Sequence, residues 1–136
     1  MRQQLFETKS GAETYSLAKA LAKEANPGEV FALIGDLGAG KTVFAKGFAA
    51  GLGIKEPVTS PTFTIVCEYE GGRIPLYHFD VYRLDDPEEL FEIGFEEYLY
   101  GEGVCLIEWA DRIWEELPPQ TKVARIERSG TSADER

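Results

Sequence analysis

The sequence predicts an α/β fold: a mostly parallel sheet with an added antiparallel hairpin and helices on both faces. Apolar runs at 30–34 and 104–107 have the length of strands that are buried on both sides of a sheet. Apolar and small residues recur at helical spacing over 41–52, soon after the first run. Because strands alternate with helices, the sheet is expected to be mainly parallel. At 136 residues and 43% hydrophobic content, the chain has room for one domain, 1–128, followed by a polar tail, 129–136.

A strand and a helix are expected before the first buried run. Residues 5–8 indicate a short strand, and residues 10–13 form a capping box, a pattern that begins helices. Asn26, Pro27 and Gly28 are expected to end this helix. Its apolar stripe consists of Tyr15, Leu17, Ala18, Leu21 and Ala22.

Residues 35–42 match the pattern GxxxxGK[ST] at every fixed position, between the first buried strand and the following helix. Their glycines allow successive backbone N–H groups to face one anion, and the helix dipole adds positive potential there. The segment therefore predicts a P-loop NTPase-like fold. A glycine-rich turn with a chance lysine is the alternative, and the flanking strand and helix argue against it. The nucleotide-binding residues predicted in this segment are Asp36, Leu37, Gly38, Ala39, Gly40, Lys41, Thr42 and Val43.

Two side chains of this loop have distinct expected roles. Lys41 is expected to contact the β and γ phosphates of a nucleotide as a point charge. The Thr42 hydroxyl is expected to bind the Mg²⁺ that bridges those phosphates. The cofactors predicted by the loop are thus ATP, or another nucleotide, with Mg²⁺.

The elements after the nucleotide helix are expected in a regular order. Breaker-rich residues 51–57 lead to a β-hairpin with strands 62–70 and 74–83, joined by Gly71 and Gly72 as a two-residue turn. The later elements are predicted at 86–98 (a helix broken near Gly94), 103–108 (a buried strand), 109–117 (a short helix) and 122–128 (a last strand).

Two acids are candidates for the catalytic and metal-binding carboxylates. In a parallel sheet, ligands lie beyond the carboxyl ends of the strands. Glu108 ends the second buried run, and Asp80 lies near the end of the second hairpin strand. Either could bind Mg²⁺ while the other positions the attacking water, and a carboxylate that merely ends a strand is the alternative for each.

Four further residues have open interpretations. Ser60 and Thr62 follow the nucleotide helix, where related enzymes keep a loop that senses the γ-phosphate, but a simple turn explains them equally well. His78 could carry a proton, although a structural, hydrogen-bonded histidine is the commoner case. Trp109 could pack on the nucleotide base or on the core.

Composition restricts the function classes. The formal net charge of −10 disfavours direct binding to nucleic acid, so a role on RNA would need a partner. Acids concentrate between 85 and 102, which indicates a solvated helix face or a docking surface for a basic partner. Cys67 and Cys105 lie in apolar runs and are expected to be buried, reduced thiols. Without a secretory pattern or a membrane-spanning stretch, a cytoplasmic protein is expected.

Together these motifs resemble the TsaE family, the small bacterial ATPases of tRNA threonylcarbamoyladenosine biosynthesis. The resemblance covers about residues 5–128 and rests on segments 35–42, 60–63, 78–83 and 107–109, in that order and at that spacing. The first segment is shared with many ATPases, whereas the four together are specific. Family members usually continue into a further strand beyond a segment like 130–136, so the closing edge of the sheet is expected to be missing or disordered.

The resemblance implies an ATP-hydrolysing accessory protein that joins a heterodimeric threonylcarbamoyltransferase and resets it by hydrolysis, with tRNA contacted only indirectly. It implies weak activity without those partners. It also implies residue roles: phosphate binding by Lys41, metal binding by Thr42 and Glu108, and hydrolytic or switch functions for Asp80, Ser60 and Thr62.

Three alternative classes of protein share the nucleotide-binding loop: a small P-loop kinase, a GTPase and a nucleotide-gated binding module. A small P-loop kinase would need an arginine-bearing lid, yet the arginines after Arg83 are scattered over a helix, a strand and the tail: Arg112, Arg125, Arg128 and Arg136. A GTPase would need a guanine-recognition motif, which the sequence does not contain. A nucleotide-gated binding module shares every motif described, so the sequence leaves that alternative open.

Overall fold

Six strands form one sheet in the part of the chain that the computed structural model describes, which comprises residues 2–8, 10–34, 38–58, 66–82, 84, 86 and 88–128. The strands are β1 (Arg2–Thr8), β2 (Val30–Ile34), β3 (Val66–Tyr69), β4 (Leu76–Asp80), β5 (Val104–Glu108) and β6 (Lys122–Arg128). Their order in the sheet is β1-β6-β2-β5-β4-β3. All neighbours are parallel except β3 and β4, so the predicted mixed α/β architecture is confirmed.

The helices lie on both faces of this sheet, as predicted. Phe31 and Leu33 of β2 pack in one apolar cluster with the first two helices, whereas Val30, Ala32 and Ile34 pack in a second cluster with the later ones. This alternation follows from the two-residue period of a strand. The helices are α1 (Gly11–Lys23), α2 (Gly38–Leu52), α3 (Glu89–Glu92), α4 (Phe95–Leu99) and a 3₁₀ helix (Ala110–Glu116).

Helices α1 and α2 approach each other closely. A Cβ atom at Gly47 or Gly51 of α2 would collide with the α1 backbone at Tyr15 or Lys19, so only glycine fits. The side chains that α1 buries are small for the same reason: Thr14, Ala18 and Ala22. The prediction that Tyr15 belongs to the buried stripe is wrong, because its side chain is 38% exposed.

The predicted start of α1 is confirmed and the predicted hairpin turn is wrong. The Ser10 side chain accepts a hydrogen bond from the Glu13 N–H at 3.2 Å, as a capping residue does. Tyr69 pairs with Leu76, so residues 70–75 form a longer connection than the two-residue turn expected at Gly71 and Gly72.

The longer connection is held by Arg73. Its backbone N–H donates to Leu52 O at 2.6 Å, at the end of α2. Its guanidinium donates to Ala22 O in the last turn of α1 and to Ala25 O just beyond that helix, both at 2.8 Å. These bonds connect the loop to carbonyls at and just beyond the ends of α1 and α2, so its residues do not form a two-residue turn.

The second half of the chain follows the predicted order. The Asp86 side chain accepts from the Glu88 N–H, and Glu89 accepts from the Asp86 N–H, which begins α3. Gly94, at φ 77°, separates α3 from α4 at the predicted break. The predicted helix after β5 is present as a 3₁₀ helix with a kink at Ile113.

Strand β1 pairs with β6 along its whole length, so β6 is not an edge strand. None of the helices in the described ranges has both the length and the apolar character that crossing a membrane requires.

Candidate functional site

The sheet topology brings the predicted acids together at one edge. Strand β5 lies between β2 and β4, and Glu108 pairs in register with Leu33 on one side and with Asp80 on the other. Glu108 and Asp80 are the last residues of their strands. They therefore lie at the carboxyl edge of the sheet, beside the point where β2 leads toward α2.

Helix α2 places Lys41 at this edge. The helix begins at Gly38, so Lys41 lies in its first turn, at the positive end of the helix dipole. Lys41 is only 1% exposed, and its Nζ lies 3.3 Å from the centre of the Trp109 ring. Thr42 and Val43 are half-buried beside it, and Gly40 is buried. The structure thus brings Lys41 and Thr42 to the side of the sheet where the acids lie.

Trp109 forms one wall of the site. At φ 61° it is the one non-glycine residue with a positive φ among the described residues, and the bend turns the chain from β5 into the 3₁₀ helix. Its ring packs on Lys41 and on the Tyr82 ring, whose centre is 4.7 Å away. Arg112 lies over Tyr82 and donates to Leu84 O at 3.0 Å. Trp109 therefore contacts the site lysine and also packs against the second apolar cluster, as the core alternative expected, while its packing on a nucleotide base stays a prediction.

Glu108 is held by a buried histidine. His78 Nε2 lies 2.5 Å from Glu108 Oε2, and the two residues are 0% and 3% exposed. Two residues before Asp80 on β4, His78 points to the same face of the sheet as both acids. The structural interpretation of His78 is confirmed in that it is buried and hydrogen-bonded. Its partner is the predicted metal-binding acid, a pairing that only the β4–β5 register reveals.

Asp80 is half-buried and more accessible than Glu108. Its Oδ1 accepts a hydrogen bond from the Tyr82 N–H at 3.0 Å. Burial raises the pKa of Asp80; the Glu108 charge adds to that rise, whereas the Tyr82 hydrogen bond, His78 and Lys41 oppose it. These opposing effects show that two carboxylates and a lysine share one electrostatic environment.

The donor set fits Mg²⁺ better than a transition metal. Mg²⁺ takes one or two protein oxygens and completes its shell with phosphate and water. The Thr42 hydroxyl and the Glu108 and Asp80 carboxylates offer such oxygens. Within the described ranges, no group of three or more His, Cys, Asp or Glu residues could form a cage for a metal by itself.

Asp36 and Leu37 lie outside the described residues, as do Ser60 and Thr62. Gly38 and Ala39 are described as the start of the α2 backbone. The switch and loop assignments at these positions stay predictions.

Comparisons with known proteins agree on one family. Residues 8–136 match the family model of TsaE, described as threonylcarbamoyl adenosine biosynthesis protein TsaE. The tRNA threonylcarbamoyladenosine biosynthesis protein TsaE of Bacillus subtilis is 52% identical over 130 residues, which cover 96% of this chain and 81% of that protein. Its namesake in Treponema pallidum is 48% identical over 84% of each chain.

A solved structure supports the same assignment. The crystal structure of Bacillus subtilis YdiB matches with a TM-score of 0.77 and 45% identity, over 95% of this chain and 78% of that one. The sequence motifs, the fold and the comparisons therefore agree, and the chain belongs to the TsaE family.

Proposed function

We propose that this chain is an ATP-hydrolysing accessory subunit of the cytoplasmic machinery that makes N6-threonylcarbamoyladenosine in tRNA. The names of its relatives indicate the pathway. One observation is the main support for ATP hydrolysis. The first turn of α2, which contains Lys41 and Thr42, lies at the same edge of the sheet as the two acids Asp80 and Glu108. That combination is typical of P-loop NTPases, and we infer a P-loop NTPase-like fold from it.

Binding follows from the start of α2. We place the phosphates at the first turn of α2, where the positive end of the helix dipole favours an anion, and the Lys41 ammonium contacts the β and γ phosphates. Because Lys41 Nζ lies against the Trp109 ring, the indole restricts the ammonium to one side of the site. Trp109 thereby positions the charge that phosphate recognition uses.

The two acids have different roles in the proposed mechanism. His78 fixes the Glu108 carboxylate through Oε2, which suits Glu108 as a metal ligand together with the Thr42 hydroxyl. When bound, Mg²⁺ neutralises charge that develops on the phosphates. Asp80 is accessible to water and is held by the Tyr82 N–H, so we assign it to orienting the attacking water.

A partner completes the site in this proposal. A small domain with a site at the edge of its sheet excludes water poorly, so hydrolysis without partners is slow. We propose that the heterodimeric threonylcarbamoyltransferase completes the site through residues 60–62 and the Asp80 region, and that ATP hydrolysis then resets that complex. With a net charge of −10, the chain contacts tRNA only through its partners.

Replacement of Lys41 by Ala tests the site. Deleting one electrostatic contact to a developing charge typically lowers turnover by about 10²-fold or more, and we expect that loss of phosphate release with the partners present. Lys46→Ala is the matched control, since Lys46 is an exposed lysine on the same helix. Equal turnover of wild type and Lys41→Ala would refute the assignment. Undiminished tRNA modification by a complex that contains Lys41→Ala would refute the resetting role.

A further inference from the structure

An aromatic cleft lies next to α4, away from the nucleotide edge. It has a volume of about 280 Å³ and is lined in part by Phe91, Glu96, Tyr100, Glu116 and Pro119. We call it the α4 cleft. Phe91 is 53% exposed and Tyr100 is 75% exposed, so both side chains leave large apolar surfaces in water. Such exposure on two neighbouring aromatic residues is typical of a binding surface rather than of a solvated face.

The α4 cleft lies at the opposite edge of the sheet from Lys41 and Glu108. Tyr100 comes shortly before the first residue of β5, and Pro119 comes shortly before the first residue of β6. Both positions are at the amino ends of parallel strands, whereas the nucleotide site is at the carboxyl ends. A ligand in the α4 cleft therefore leaves the phosphate site open.

The charged side chains that line the α4 cleft are acidic. Glu96 and Glu116 line it, and residues 84–111 contain no lysine or arginine. In the described part of the chain, no basic side chain lies within ion-pair distance of either carboxylate; the ion pairs found are Lys122–Glu29 and His78–Glu108. The cleft thus combines an apolar floor with a rim that attracts cations.

The acidic side chains of the α4 cleft exclude several classes of ligand. A second copy of this chain would bring a net charge of −10 to an acidic rim, which opposes self-association. Nucleic acid and anionic membrane surfaces are repelled for the same reason. A volume of about 280 Å³ is below the usual range of small-molecule sites, but it accommodates an anchoring side chain of a protein partner.

We propose that the α4 cleft docks a cationic segment of a partner protein. One apolar or aromatic side chain of that segment enters between Phe91 and Tyr100, and flanking lysines or arginines pair with Glu96 and Glu116. The identity of the partner rests on the proposed function, because we place the segment on the threonylcarbamoyl-transferring proteins. The docking surface is separate from the nucleotide site, so the chain can hold its partner throughout a hydrolysis cycle.

The test is a binding measurement with the purified transferase pair and the full chain. We expect the double variant Phe91→Ser/Tyr100→Ser to raise the Kd at least about tenfold, as loss of a central aromatic anchor does. The double variant Glu96→Gln/Glu116→Gln is expected to weaken binding at low salt and to flatten its salt dependence. Matched controls are Tyr15→Ser, an exposed tyrosine on α1, and Glu24→Gln, an exposed acid at the end of α1.

The outcomes separate this proposal from the proposed function. Binding of the aromatic variant within twofold of wild type, with the fold confirmed by circular dichroism, overturns the docking site. Failure of the wild type to bind the transferase pair overturns it as well. ATP binding and hydrolysis by the isolated variants are expected to be unchanged, because the α4 cleft is remote from Lys41. If the wild type does not hydrolyse ATP, the proposed function is contradicted. The ratio of the Kd of each variant to that of the wild type would still decide whether the α4 cleft is the docking site.

Discussion

Replacement of His78 by Leu measures how strongly the buried pair with Glu108 supports the fold and the site. The imidazole and the carboxylate are almost completely buried and are joined by a bond of 2.5 Å. Leu retains most of the side-chain volume but cannot donate a hydrogen bond. The substitution therefore leaves Glu108 Oε2 buried without its partner.

The magnitude follows from the burial of Glu108. An unsatisfied buried polar group destabilises a protein by about 1–3 kcal/mol, and an unpaired buried charge by about 3–5 kcal/mol. We expect His78→Leu to lower the free energy of unfolding by about 3 kcal/mol. For a chain of this size that loss corresponds to a fall in Tm of about 10 °C.

Urea unfolding followed by circular dichroism measures the effect. His78→Gln retains a donor and is expected to recover part of the loss. The double variant His78→Leu/Glu108→Leu is expected to be more stable than His78→Leu alone, because it removes both polar partners. A loss below about 1 kcal/mol for His78→Leu, or strictly additive losses in the double variant, would refute the reasoning.

Two further predictions concern nucleotide choice and thiol chemistry. The chain is expected to prefer ATP to GTP, because it contains no guanine-recognition motif; a competition binding assay that shows clear GTP preference would overturn this. Burial raises the pKa of the Cys105 thiol to about 12, so the unreactive protonated form dominates near pH 8 and iodoacetamide is expected to modify Cys105 only after unfolding. Mass spectrometry of the native protein tests this, and stoichiometric labelling of Cys105 would contradict it.

The parts of the fold that local pattern predicts well are those that tertiary contacts reinforce. Strands β2, β5 and β6 lie where the apolar runs and alternation indicated, because both faces of the inner strands pack against helices. The longer connection before β4 was not predictable, since Arg73 bonds to carbonyls that are distant in sequence. Tyr15 was wrongly assigned to the buried stripe of α1, because the hydropathy of a residue does not show that α1 packs against glycines of α2.

In the candidate site, too, some features follow from local sequence pattern and others depend on tertiary contacts. The rule that ligands lie at the carboxyl ends of parallel strands predicted Asp80 and Glu108, and the structure places both there. The hydrogen bond between His78 and Glu108 could not be predicted without knowing that β4 pairs with β5, because the two residues are 30 positions apart in the chain. The contact of Trp109 with Lys41 depends on a left-handed backbone conformation, for which the sequence carries no signal.

The most direct test of the account is steady-state phosphate release by Glu108→Gln with and without the transferase proteins. Gln preserves the shape of the side chain and an oxygen that can bond to His78, but it lacks the charge that holds Mg²⁺. We predict that the variant binds ATP as the wild type does and loses most of the partner-stimulated turnover, by about 10²-fold. Full stimulation of Glu108→Gln would contradict the assignment and would leave Asp80 as the acid that supports hydrolysis.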